Sequence, residues 1–75
     1  MTPSRLTECL VIIRWTPEIL AEALGCDESL VNAWILGHAE VPVKTAAWIH
    51  TIATFHEAAE AQKPASLKGR RWRGE

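Results

Sequence analysis

The chain has 75 residues, 48% of them apolar and 23% charged, with a formal net charge of −1. That is one domain, at the small end of what folds without disulfides or metals. No stretch approaches the ~18 apolar residues of a membrane span, and the apolar run Cys9 to Ile13 is too short for a secretory leader, so the expected location is cytoplasmic.

Four helices are predicted in chain order. Leu6, Cys9, Leu10 and Ile13 recur at i, i+3, i+4 and i+7, one buried stripe of a first helix. Ser4 is its expected cap, with Pro3 outside. Thr16-Pro17 is a strong start for the second: a hydroxyl to take an orphan amide, then proline where no hydrogen bond is lost. Gly25 ends that helix, because glycine takes positive φ without steric cost. Asp27 caps the third helix, and Glu28 sits favourably on its dipole. Gly37 ends the third helix, and His38, Ala39, Glu40 and Val41 form a short loop.

Pro42 opens the last and longest helix, which reaches about Ala61. Ala46, Ile49, Ile52, Ala53 and Phe55 are expected to form a broad inward stripe, with Trp48 and His56 near its margin. Beyond Lys63-Pro64 the periodicity stops, and Pro64, Ser66, Gly69 and the basic run predict a flexible tail. The expected fold is therefore all-α, a four-helix domain over 1–62 followed by a basic tail over 63–75. Charge divides along the same line. Residues 1–62 hold Arg5, Arg14 and Lys44 against eight acids, a net −5, whereas 63–75 hold five cations against Glu75, a net +4. Such asymmetry points to a polyanion partner.

The chain lacks the parts of an enzyme. There is no glycine-rich phosphate loop and no pair of carboxylates in an apolar setting. His50 and His56 are six residues apart, about 240° around a helix, so they do not converge on one site. His38 stands alone in a loop. Cys9 lies on the first apolar stripe and Cys26 follows the turn glycine, where free cysteine acts as a small hydrophobe. Their spacing offers neither a disulfide nor a metal pair. The expectation is a non-enzymatic protein with no cofactor, no metal and no small-molecule ligand.

The second and third helices carry a more specific pattern. Ala21 is small enough for two steeply crossing helices to approach there. Gly25 supplies the turn, and Leu20, Leu24, Cys26, Val31 and Trp34 point inward to pin the crossing. This is the arrangement of a helix-turn-helix, whose second helix lies in the DNA major groove. The stretch from Arg14 to Trp34 resembles lambda-repressor-like domains of the Cro/XRE type. The continuation Leu36-Gly37-His38-Ala39-Glu40-Val41-Pro42 is similar to short members with a G-x-x-x-V-P link. The resemblance spans roughly residues 6–55.

It implies that the start of the third helix and the turn after it face base edges, here Glu28, Ser29, Asn32 and Ala33. Asn32 suits adenine, Ser29 suits several bases, and Glu28 accepts from cytosine. Arg14, His38 and Lys44 are the expected backbone contacts, with Lys68, Arg70, Arg71 and Arg73 of the tail. The chain departs from the pattern at three positions. Relatives often carry arginine or glutamine at the positions of Asn32 and Ala33, and glutamine where Pro17 stands. Asp27 and Glu28 also make the leading edge acidic, against the phosphate attraction behind most non-specific affinity.

The expected partner is double-stranded DNA, bound as a homodimer on a palindromic operator. The tail is either an arm that wraps DNA or a solvated solubility segment. Trp48 and Phe55 either form a dimer interface or complete the core. A second reading stays open beside this one. It is a protein-interaction module, adaptor or antitoxin-like, that keeps the scaffold without groove chemistry.

Overall fold

Thr2 accepts the amide of Arg5 on its hydroxyl at 3.1 Å, which starts the first helix one residue ahead of Pro3. This corrects the expectation of a Ser4 cap: Pro3 occupies the first helical position, where its missing N–H costs nothing. In the computed structural model, which describes residues 1–74, four helices follow in order. They are α1 (Pro3–Ile13), α2 (Pro17–Leu24), α3 (Glu28–Ile35) and α4 (Val43–Ala61). No strand occurs among the described residues, so the fold is all-α.

The local signals explain most boundaries. Thr16 accepts the Ile19 amide at 3.2 Å, with Pro17 as the first residue of α2. Gly25 closes that helix at φ 72°, and its amide bonds back to Glu22. Asp27 caps α3 by accepting the Ser29 amide at 2.9 Å. Leu36 and Gly37 end α3, the glycine at φ 77°. Pro42 precedes α4 as its cap residue and the helix proper starts at Val43, one residue later than expected. The end of α1 carries no sequence signal of this kind. Arg14 adopts the left-handed conformation at φ 61°, a place usually held by glycine.

α1 packs against α4 and α3, and α2 against α3. The core takes Leu6, Cys9, Leu10 and Ile13 from α1 and Leu20 and Ala21 from α2. Val31 and Trp34 come from α3, and Ile49 and Ala53 from α4. The remaining core residue, Val41, comes from the loop before α4 and is unanticipated by helical periodicity. No polar or charged residue is buried among the described residues. Leu24 and Cys26 are half-buried rather than fully inward.

One part of the expected α4 stripe is overturned. Phe55 is 71% exposed, because the contact with α1 runs through Ile49 and Ala53, and Phe55 lies on the far side of the helix. Among the described residues none after Ala53 is buried, so the last two turns of α4 run beyond the core. This contributes to the 53 Å length of a molecule only 23 and 19 Å across. Residues 63–74 contain no helix, and they turn once where Lys68 and Arg70 donate amides to Ala65 and Leu67. No helix of the described residues is long and apolar enough to cross a membrane.

Candidate nucleic-acid interface

Val31 and Trp34 anchor α3 to the core. At 100° per residue, the direction opposite these two is held by Ser29, Asn32 and Leu36, flanked by Glu28 and Ala33. Glu28, Ser29 and Asn32 are exposed and Ala33 is half-buried. The four residues expected to face bases thus share one open side of a helix whose other side is fixed. Leu36 completes that side and is 67% exposed. Its position four after Asn32 is the signal in the sequence that puts it on this side. Its methyls suit contact with a thymine methyl.

The cap and the open face share a residue. Asp27 is held below the usual carboxylate range by the Ser29 hydroxyl and then by the Ser29 amide. Ser29 is therefore partly engaged with Asp27 before any ligand arrives. Asn32 carries the free amide of the face, with both donor and acceptor available. The carbonyl of Ala33 accepts the amides of His38 and Ala39 at 2.9 and 3.3 Å, which folds the following loop back over the end of α3.

Electrostatics around this face are one-sided. Between Trp15 and Val43 the sequence has Glu18, Glu22, Asp27, Glu28 and Glu40 and no lysine or arginine. All five acids are exposed. His38 is exposed in the loop, and Lys44 is exposed in the first turn of α4. Arg14 lies within 3.5 Å of Glu60 on α4, an exposed pair that water and salt screen strongly. Lys63 also pairs with Glu60 at 2.7 Å, and Lys63 first and Arg14 second among the cations hold that carboxyl below its ordinary range. The tail cations Lys68, Arg70, Arg71 and Arg73 are all exposed. Glu75 lies outside the described residues. The structure therefore brings the base-facing candidates together and leaves the cations at the end of α1, the start of α4 and the tail.

Among the described residues the remaining titratable groups form no second site. Arg5 donates to Nδ1 of His50 at 3.0 Å and also pairs with Glu8. Cys9 is buried, and that burial raises its thiol. Cys26 is free and half-buried. No group of three or more His, Cys, Asp or Glu among the described residues is arranged to hold a metal ion. No protein-family model, no curated protein and no solved structure matches the chain.

Proposed function

We propose that the chain is a small DNA-binding regulator in which α2 and α3 act as a helix-turn-helix of the Cro/XRE type. α3 enters the major groove with Asn32 as its principal base reader and Leu36 against thymine methyls. Ser29, Glu28 and Ala33 line the same contact. The observation that carries this reading is the open face of α3 opposite Val31 and Trp34. That face stands behind a glycine turn that aligns the helix as a rigid unit. Bound DNA would be covered at the site, and regulation would follow from blocking or recruiting polymerase.

The absence of cations from Trp15 to Val43 assigns non-specific affinity elsewhere. It falls to Arg14, Lys44 and the basic segment 68–73, which acts as an arm on the phosphate backbone. Titrating a labelled duplex library with the full chain and with a chain ending at Gln62, at several salt concentrations, tests this. The full chain should lose affinity steeply with salt. The shortened chain loses five cations, so its logarithmic salt slope should shrink by up to about 4.5.

The five exposed acids around α3 favour a second reading, a protein-interaction module on the same scaffold. Absence of affinity for any duplex at low salt, with the fold intact, would support that reading and overturn the first.

A further inference from the structure

Three of the four tryptophans serve the folded body. Trp34 lies in the core, Trp15 packs against it, and the Trp48 ring is backed by Trp15 with centroids 6.1 Å apart. Trp72 serves none of this. It is 81% exposed and stands outside the core cluster, in the segment beyond α4. Residues 63–74 carry five cations and no Asp or Glu, and Arg71 and Arg73 flank the ring in sequence. The backbone turns at Gly69, with φ 76°. Gly69, Arg70, Arg71, Trp72 and Arg73 there border an open concavity of about 480 Å³, within the range of small-ligand sites. An indole left in water among guanidinium groups is a liability on a merely solvated surface. It is a stacking platform for a nucleobase whose phosphates the arginines neutralise.

We propose that Trp72 stacks on an unpaired nucleobase, which makes the arm 68–73 a binding site for single-stranded nucleic acid. Base faces decide the class of ligand. In a duplex both faces of each interior base are covered by neighbours, and a side chain enters only by unstacking them. In a single strand a face is open, and stacking on an aromatic ring is gained without that cost. A membrane surface suits the same charges less well. Residues 63–74 hold no helix, and Leu67 and Trp72 are their large apolar groups, so they present no amphipathic face to a bilayer.

The folded body does not share the site. Residues 1–62 carry a net −5, and the last turns of α4 hold the arm beyond the core. The proposal rests on the reading of 68–73 as a phosphate-binding arm, and it is independent of α3 in a groove.

Anisotropy titrations of the full chain against labelled oligothymidylate, oligouridylate and a long blunt duplex test it, with phosphatidylserine vesicles as the lipid arm. Trp72→Leu keeps an apolar side chain and every charge but has no ring face. It should weaken single-strand binding by about five- to hundredfold. Duplex affinity should stay within about twofold, and every salt slope should be unchanged because no cation is lost. Trp72→Phe should recover most of the loss, and circular dichroism of both variants should match the parent, since Trp72 lies outside the core. Loss on only one of the two single strands supports the proposal and names the sugar it prefers. Arg70→Gln, Arg71→Gln and Arg73→Gln made together separate the two ways of failing. If that variant loses the strands and Trp72→Leu does not, the arm stands and the stacking falls. If neither changes binding, both fall. Equal loss on duplex and single strand, a Trp72→Phe as weak as Trp72→Leu, or a loss confined to the vesicles also overturns the proposal.

Discussion

Asp27 reaches forward two residues and takes the Ser29 amide at 2.9 Å, so one carboxylate both starts α3 and darkens the open face with negative charge. The cap stabilises the helix that presents Asn32, while its charge repels the phosphate that helix would approach. In the proposed DNA complex, structure and binding would pull on the same atom in opposite directions.

Asp27→Asn separates the two effects. Asparagine caps as well as aspartate, so melting at neutral pH should change little, whereas duplex affinity should rise at low salt. The pH dependence should change too. The Asp27 pKa is lowered from 3.8 in the folded chain. Its stabilisation is therefore present above that value and lost as pH falls through the folded value. Thermal melts through the acid range should show a shallower loss for Asp27→Asn than for the parent. Equal slopes in the two proteins would contradict the assignment.

Gly25 tests the turn. A Cβ there would meet nothing within 4 Å, so substitution costs backbone strain alone at φ 72°. Gly25→Ala should cost about 1–2 kcal/mol, Gly25→Asn less and Gly25→Val more. Urea midpoints that do not follow the order Asn, Ala, Val would remove the left-handed turn from the account.

Arg14 is the reverse case. It holds φ 61° without being glycine, and its exposed contact with Glu60 contributes little. Arg14→Gly should be neutral or stabilising by up to about 1 kcal/mol. The same variant should weaken duplex binding if Arg14 touches phosphate. Denaturation and titration of one protein read both outcomes.

Ile49 sits fully buried where α4 meets the rest of the core. Ile49→Ala should cost about 2–5 kcal/mol, and a domain this small has only about 5 kcal/mol to lose. Far-ultraviolet circular dichroism at 37 °C should show a largely unfolded chain. A cooperative melt close to that of the parent would place the α4 packing elsewhere.

Much of the architecture is legible in the residues because the governing interactions span four positions or fewer. Thr16-Pro17, Gly25 and Asp27-Glu28 mark helix ends through hydrogen bonds and φ preferences that the local chain settles alone. The stripe Leu6, Cys9, Leu10 and Ile13 is equally local, with Ile12 half-buried at its margin and Val11 left exposed. The Ser4 cap failed within the same range, since Thr2 and Ser4 both carry a hydroxyl and Pro3 fits on either side of a helix start.

What reached across the chain was decided by packing. α4 offers two apolar stripes, and periodicity cannot say which one α1 covers. The crossing at Ile49 and Ala53 chose one and left Phe55 outside. The same crossing put Trp48 beside Trp15, and packing of the loop before α4 drew Val41 into the core. Arg14 was forced left-handed because α1 must turn sharply into α2, a demand set by where α2 packs. Local hydrogen bonding therefore wrote the helices, and the non-local competition for buried area chose the faces they show to solvent.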